Sequence, residues 1–384
     1  MKTFPKKLVV FPNDPILAYY EKGEIKERYF NPGNLFEAVH LFTFTDRDVE
    51  SHKVQIIAGD ARLNIHPLGR ISLNRMLTLP FWKKVILQKV SEIGPQIIRA
   101  YNPILAGFLG VSVGKELGIP TVISLHTNYV DIRYHLWRQR EYLRWTKYFL
   151  TSRTFEPYVL RNVDKVICAY RFPAEYAKHY GAKEENIEVI YNRVDLNKFK
   201  PPKKRESNTP LKVLCVGRLI EGKNQETLIR AIKGLDLHLT LIGDGEMRLF
   251  LKDLVKKLGL EGQVEFVSSV PNTEIYQYYQ RADIFALPIK YGGIAIPVIE
   301  AIASGLPIVV PRPLFEPEPE LVGDVALVVE NTPQGFREGL RQLADDIDLR
   351  HRLGEMGRKL AESISGDKME EREKNVYLQL LGEM

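Results

Sequence analysis

Short apolar runs alternate with longer amphipathic stretches along the chain. Runs of this length, rich in valine, isoleucine and leucine and bounded by polar residues, are typical of buried strands. Strands that are apolar throughout and alternate with helices indicate parallel sheets covered on both faces. The predicted strands are Lys7–Phe11, Val39–Phe44, Val54–Ala58, Gln96–Ala100, Thr121–Leu125, Lys165–Ala169, Glu188–Tyr191, Lys212–Val216, His238–Ile242, Val264–Val267, Ile284–Leu287, Pro307–Val310 and Ala326–Val329.

Helix-length segments separate these runs, and in Gln225–Leu235 the apolar residues recur at the spacing of one helix face. The apolar stretch Ile294–Pro311 approaches the length of a membrane span. Because it contains Glu300 and several prolines, we expect a buried helix followed by a buried strand instead. The other predicted helices are Leu79–Ile93, Ile104–Leu117, Pro333–Ile347, Asp348–Ile364 and Asp367–Leu381.

The segment Asp195–Pro210 interrupts this pattern. It contains three prolines and the basic cluster Lys203–Arg205, and it has no apolar periodicity. That composition is typical of a linker. It predicts a first domain over residues 1–195 and a second over 196–366, each a doubly wound α/β fold. Such sheets bind ligands beyond the carboxyl ends of their strands, so we expect the ligand between the two domains.

Composition and charge narrow the choice of partners. The net charge is +6 and the isoelectric point is about 9.0, which suits an anionic ligand or a membrane surface and does not indicate nucleic acid. The two cysteines, Cys168 and Cys215, lie inside apolar runs, as expected for core residues in a reducing compartment. The apolar run Leu8–Phe11 is too short for a signal peptide. We therefore expect a cytoplasmic protein, able to lie peripherally at the inner membrane face.

The sharpest local motif begins at Gly217 and has the spacing G-x-x-x-x-G-K, which ends at Lys223. It follows a predicted strand and opens a helix, where glycine, a helix N-terminus and cations together suit a phosphate. Asn224 stands where a P-loop NTPase needs a hydroxyl to bind Mg²⁺. The motif therefore fits a diphosphate site without a metal better than it fits the P-loop of an NTPase. A P-loop NTPase and an ordinary basic turn stay as alternatives.

Two further segments carry chemistry. Gly243-Asp244-Gly245 follows a strand, but its spacing is a weak match to a dinucleotide motif. Glu300 lies in apolar surroundings, and a buried carboxylate is costly unless it has a partner. That partner is either a basic side chain, backbone N–H groups or a ligand hydroxyl such as that of a ribose.

In combination, these segments resemble the retaining glycosyltransferases of family 4. The family's successive signatures correspond to Val189–Asp195 with Phe199, Val216–Leu219 with Lys223, Leu241–Gly245, Arg281–Pro288 and Ile296–Pro307. The resemblance implies the GT-B fold, which has two Rossmann-like domains facing across a cleft. It also implies that a last helix, within residues 367–384, returns to the first domain.

The resemblance implies roles for individual residues. Arg218 and Lys223 would grip the donor diphosphate and stabilise it during reaction, and Glu300 would bind the donor ribose. His126 would face the sugar and phosphate, although a histidine that is only locally satisfied at a strand end is the other interpretation. The remaining implied residues are Gly217, Gly243, Gly293, Ile294, Ala295 and Ile296 at the donor, and Asn31 and Gly33 near the acceptor.

The sequence departs from the family pattern at two positions. Gly292 stands where the family has the first of two glutamates, a residue that touches the donor sugar. Because of this departure, a protein that binds a nucleotide sugar or a glycan without transferring it stays an alternative. Arg193 replaces a glycine, and a residue with a Cβ is disfavoured at positive φ, so we expect a different turn there.

Residues 133–161 combine several arginines with tryptophan, tyrosine and phenylalanine. A basic aromatic helix of this kind can lie on an anionic lipid surface or bind an anionic acceptor. It can equally pack its aromatic stripe on the core and leave its arginines in solvent.

The function implied by the resemblance is transfer of a sugar from a nucleoside diphosphate sugar to an acceptor hydroxyl, with retention of anomeric configuration. The acceptor would be a glycan, a lipid-linked molecule or a small molecule. No cofactor and no metal ion are expected.

Overall fold

The computed structural model describes residues 6–21, 23–70, 78–127, 129–203, 209–290, 294–313, 319–321 and 325–383. The chain forms two compact units. Unit 1 comprises Met1–Tyr191 and Met369–Met384, and unit 2 comprises Asn192–Lys368.

Unit 1 contains a seven-stranded parallel sheet with the strand order β3-β2-β1-β4-β5-β6-β7. Its strands are β1 (Lys7–Phe11), β2 (Ala38–Thr43), β3 (Arg62–Pro67), β4 (Ile97–Ala100), β5 (Thr121–Leu125), β6 (Lys165–Cys168) and β7 (Ile187–Val189). Its helices are α1 (Ile16–Glu21), α2 (Leu79–Ile93), α3 (Leu105–Leu117), α4 (Tyr129–Arg138), α5 (Tyr142–Arg153), α6 (Phe155–Asn162) and α7 (Arg171–His179).

Unit 2 contains a six-stranded parallel sheet with the order β10-β9-β8-β11-β12-β13. Its strands are β8 (Leu211–Val216), β9 (Leu237–Ile242), β10 (Val264–Val267), β11 (Ile284–Ala286), β12 (Ile308–Pro311) and β13 (Leu327–Val329). Its helices are α8 (Gln225–Ile232), α9 (Arg248–Leu258), α10 (Tyr276–Arg281), α11 (Ile296–Ala303), α12 (Pro333–Asp345) and α13 (Ile347–Ser363). The strand order reverses between β8 and β11, which is the ligand-binding position of doubly wound sheets.

The structure confirms the doubly wound α/β class and corrects two elements of unit 1. Val54–Ala58, predicted as a strand, lies in a 3₁₀ helix over Ser51–Ala58, and the strand β3 was not predicted. Ile294–Pro311 forms helix α11 and strand β12, as expected. Within the described residues, no helix combines the length and the apolar composition needed to cross a membrane.

The last helix, α14 (Gly366–Leu381), begins in unit 2, and its residues from Met369 onward belong to unit 1. Glu373 forms a buried ion pair with Arg99 of β4, and both side chains are less than a tenth exposed. Arg99 also donates to Tyr377 Oη (2.7 Å) and to Ser124 Oγ (3.0 Å). Buried charges need such a complete set of partners, so this network attaches α14 firmly to the sheet.

We expect Glu373→Ala to destabilise unit 1 by about 3–5 kcal/mol, because it leaves the Arg99 guanidinium buried without a counter-charge. Urea unfolding followed by far-UV circular dichroism measures the loss. Glu371→Ala is the matched control on the same helix. Glu371 is exposed and pairs with the nearby Lys374, so its removal is expected to change stability by less than about 1 kcal/mol. Equal losses in the two variants would contradict the prediction.

Candidate functional site

A tight turn follows strand β8 at the point where the strand order of unit 2 reverses. Gly217 donates its N–H to the Ile242 carbonyl (2.9 Å), which ties the turn to the end of β9. A 3₁₀ turn over Glu221–Lys223 then leads through Asn224, in the left-handed conformation (φ 55°), into α8. The Lys223 side chain passes within 3.8 Å of the place that a Cβ at Gly217 would occupy, so it folds back over the turn.

Gly243, after β9, packs directly against this turn. A Cβ at Gly243 would lie 2.2 Å from the Gly217 carbonyl oxygen, and its φ of 142° also disfavours a side chain. The Leu219 N–H donates to the Asp244 carbonyl (2.9 Å) next to this contact. Glycine at position 243 therefore lets the two turns after β8 and β9 touch through their backbones.

Arg218 and Lys223 bring two positive charges to the turn. Arg218 is exposed and Lys223 is partly buried. Within the described parts of the chain, neither head group has a carboxylate or hydrogen-bond partner. Burial, followed by repulsion from Arg218, lowers the pKa of Lys223. Two cations that repel each other and lack a counter-charge form a site prepared for an anion.

Three amide side chains hold this turn in place, and the sequence analysis singled out only Asn224 among them. Gln225 donates from Nε2 to the Arg218 carbonyl (3.0 Å). Asn224 donates from Nδ2 to Asn331 Oδ1 (3.1 Å), and Asn331 donates in turn to the Ile289 carbonyl (3.0 Å). The Asn224 side chain is thus engaged in a structural bond. An amide among polar loop residues gives no sequence signal that would have identified this role.

Glu300 lies in α11 and is 9% exposed. Tyr279 of α10 donates its hydroxyl to Glu300 Oε2 (2.8 Å), so a tyrosine hydroxyl is one partner of this carboxylate. Burial and the adjacent Glu300 carboxylate raise the pKa of Tyr279, which keeps its proton for this bond. Phe199 packs edge-on against the Tyr279 ring, with centroids 5.5 Å apart. The sequence offered no pattern that singled out Tyr279.

The segment entering α11 is described from Ile294 onward. Ile294 is buried, Ala295 precedes the helix and accepts the Val298 N–H (2.9 Å), and Ile296 is the exposed first residue of the helix. Gly292 and Gly293 lie outside the described residues.

His126 follows β5 in unit 1, and its ring stacks on the buried Tyr101 with centroids 5.5 Å apart. The Arg99 guanidinium lies over the Tyr101 ring, 4.5 Å from its centroid. Desolvation by surrounding protein and repulsion from Arg99 lower the pKa of His126. The imidazole is therefore neutral at neutral pH.

The two predicted acceptor-side residues have different environments. Asn31 is fully buried, and its amide donates to the carbonyls of Phe36 and Ala58 (both 3.0 Å) and accepts the Phe36 N–H (2.9 Å). Its side chain therefore organises its own loop. Gly33 is exposed, has a φ of 60°, and donates its N–H to Glu370 of α14 (2.8 Å).

The basic aromatic segment 133–161 is not one helix. It comprises the C-terminal part of α4, the helix α5 and most of α6. Arg133 is buried and pairs with the buried Glu156 (3.0 Å), so it stabilises the fold.

Comparison with known proteins identifies the family. The model of the glycosyl transferases group 1 matches residues 197–360, and that of glycosyltransferase family 4 matches residues 37–198. Together they cover most of both units. The chain is a glycosyltransferase of this family. It therefore belongs to a class of enzymes, and its two Rossmann-like units are those of the GT-B fold.

Curated relatives include an uncharacterized glycosyltransferase of Methanocaldococcus jannaschii, 26% identical over 76% of this chain and 77% of that protein. The alpha-monoglucosyldiacylglycerol synthase of Streptococcus pneumoniae is 26% identical over 71% of this chain, but the match spans only 63% of that protein. Among solved structures, sucrose-phosphate synthase from Thermosynechococcus elongatus aligns with a TM-score of 0.78 over 99% of this chain and 100% of its own, at 18% identity. Anabaena HepE in complex with UDP aligns with a TM-score of 0.71 over 97% of this chain and 100% of its own, at 16% identity.

We expect Gly243→Ala to destabilise this glycosyltransferase by at least about 2 kcal/mol, because its Cβ would collide with the Gly217 carbonyl. Thermal unfolding measures the change. Gly259→Ala is the control, since Gly259 also has a positive φ (67°) but has open space around it. The control is expected to show only the smaller conformational cost, about 1 kcal/mol. If both variants lost the same stability, the backbone contact at Gly217 would not matter.

Proposed function

We propose that the enzyme transfers a glycosyl group from a nucleoside diphosphate sugar to an acceptor hydroxyl, with retention of the anomeric configuration and without a bound metal ion. One observation carries the proposal: Arg218 and Lys223 lie at the strand-order reversal of unit 2, and no carboxylate among the described residues pairs with them. HepE has the same overall fold, and its structure contains UDP. This supports a nucleoside diphosphate as the anion that binds to Arg218 and Lys223.

The leaving group defines what the two cations do. When the bond between the anomeric carbon and the diphosphate breaks, negative charge accumulates on the phosphate oxygens. Arg218 and Lys223 are fixed in place before the reaction and stabilise the transition state, where this charge develops, more than the ground state. This difference lowers the activation barrier. A diphosphate would also relieve the repulsion from Arg218, which adds to burial in lowering the pKa of Lys223. Their two charges take the part that Mg²⁺ plays in other phosphate sites.

Glu300 is proposed to accept hydrogen bonds from the donor ribose. Tyr279 occupies Oε2 and fixes the carboxylate in one orientation. The main chain at Gly293, Ile294, Ala295 and Ile296 is proposed to meet the β-phosphate or the sugar, where the N-terminus of α11 favours negative charge.

His126 is proposed to face the sugar and the phosphate. As a neutral imidazole it has one N–H donor and one acceptor, so it can hydrogen-bond a sugar hydroxyl without adding a charge. Retention is proposed to follow a same-face route in which the departing phosphate accepts the proton of the attacking hydroxyl.

The donor site is tested by the stabilisation that UDP, GDP and ADP give to the full chain in the presence of a chelator. We expect one of these diphosphates to raise the melting temperature without Mg²⁺. Lys223→Met should weaken its binding by about ten-fold or more, since a charge-assisted hydrogen bond contributes about 1.5–3 kcal/mol.

Lys252→Met is the matched control, because Lys252 is an exposed lysine of α9 in the same unit. Binding of the diphosphate should not change in this variant. A response only to ATP with Mg²⁺ would instead favour the P-loop alternative. Unaltered diphosphate binding in Lys223→Met would show that Lys223 does not contact the diphosphate.

A second candidate, a nucleotide-sugar or glycan binder without transferase activity, rests on Gly292, which replaces a glutamate of the family pattern. We expect the wild-type chain to release nucleoside diphosphate from the matching nucleotide sugar, as measured by a coupled assay with excess enzyme. Turnover that appears only in Gly292→Glu would contradict the proposed transferase and favour the binder.

A further inference from the structure

Helix α5 contributes little to the core of unit 1. Of its twelve residues, only Thr151 and Ser152 are buried. The preceding helix α4 buries four residues, Tyr129, Asp131, Arg133 and Leu136. Helix α5 is therefore held mainly through its C-terminal end, and most of its surface faces solvent.

The exposed surface of α4 and α5 is unusually apolar. Leu143 is 91% exposed and Leu150, seven residues later on the same face, is 56% exposed. Trp137, Tyr142 and Phe149 are also exposed. Scattered exposed apolar residues are common, but a contiguous group marks an interaction surface.

An aromatic ladder joins the two helices. Trp145 lies between Trp137 of α4, at a centroid distance of 5.0 Å, and Phe149, at 4.9 Å with nearly parallel rings. Tyr142 packs edge-on against Trp137 (5.4 Å). The ladder keeps these rings together at the surface instead of sending them into the core.

Cations surround the apolar group. The exposed basic residues are Arg138, Arg140, Arg144, Lys147 and Arg153. Glu141 is the one acidic residue between Trp137 and Arg153, and it pairs with Arg144 (2.6 Å). Within the described chain, Arg140 and Lys147 have no carboxylate partner. Lys147 lies between Leu143 and Leu150, one turn from each.

We propose that this α4–α5 surface, formed by residues 137–153, docks on an anionic lipid bilayer. Aromatic and leucine side chains enter the interface between head groups and acyl chains, while arginine and lysine bind the negatively charged head groups. Charge decides against a second copy of this chain as the occupant, because a symmetric dimer would bring two such basic surfaces together. The surface lies in unit 1 and its action does not depend on the donor chemistry of unit 2.

The test is co-sedimentation of the full chain with vesicles of phosphatidylcholine alone and with phosphatidylglycerol added. We expect binding to the anionic vesicles that weakens as NaCl rises from 0.05 M to 0.5 M, and little binding to phosphatidylcholine alone. Fluorescence quenching by brominated lipid should accompany binding, since Trp137 and Trp145 lie in the proposed contact.

Two double variants separate the contributions. Arg140→Glu with Lys147→Glu removes the attraction, and Leu143→Ser with Leu150→Ser removes apolar contact. Each double variant is expected to lower the partition coefficient at least about ten-fold. The reason is that each cation near an anionic surface and each apolar side chain buried in the interface contributes its own binding free energy. Neither pair touches the donor site, so diphosphate binding should stay at the wild-type level.

Matched controls come from unit 2. Leu249→Ser replaces a leucine that is 77% exposed, and Lys256→Glu with Lys257→Glu reverses two exposed lysines of α9. Both controls should bind vesicles like the wild type. Loss of binding in the lysine control equal to that in the α4–α5 charge variant would show a net-charge effect and overturn the proposal. So would absence of binding to anionic vesicles, or concentration-dependent self-association that the α4–α5 variants abolish.

Discussion

A parallel sheet places the carboxyl ends of all its strands along one edge, and the proposed donor site of this enzyme depends on that constraint. Gly217 and Gly243 follow β8 and β9, neighbouring strands in the sheet of unit 2. The two turns touch through their backbones, and Asn331, which follows β13, ties the same edge together from the other side. Residues that are more than one hundred positions apart in sequence therefore meet because the strands are parallel.

The two units differ in how their positively charged side chains are paired. In unit 1, the buried cations Arg99 and Arg133 each face a buried carboxylate and a tyrosine hydroxyl. In unit 2, Arg218 and Lys223 face neither in the described chain. A carboxylate beside the partly buried Lys223 would stabilise the fold, as the carboxylates beside Arg99 and Arg133 do. Their unpaired state at the strand-order reversal is therefore best explained by a ligand that supplies the negative charge.

The sequence predicted the strands and helices well where apolar periodicity was strong, and it failed where packing decided the structure. Val54–Ala58 is apolar enough for a strand, yet it forms part of a 3₁₀ helix that buries Val54 and Ile57. Strand β3 has polar residues and an exposed start at Arg62, so its alternation is weak. Local spacing also singled out Arg218 and Lys223, which the structure places in one turn after β8. It could not identify Tyr279, because a partner from a separate helix is fixed only by tertiary packing.

The family motif around Asp195 has a structural role in this chain. Asp195 accepts the N–H of Asn197 (2.9 Å) with its side chain and the N–H of Phe199 (2.8 Å) with its carbonyl, so it shapes the turn that presents Phe199. Phe199 packs on Tyr279, and Tyr279 bonds Glu300. Arg193 does not adopt positive φ, so the missing glycine costs no backbone strain in this turn. The Glu300 carboxylate is thus connected, through Tyr279 and Phe199, to a turn that lies about one hundred residues earlier in the sequence.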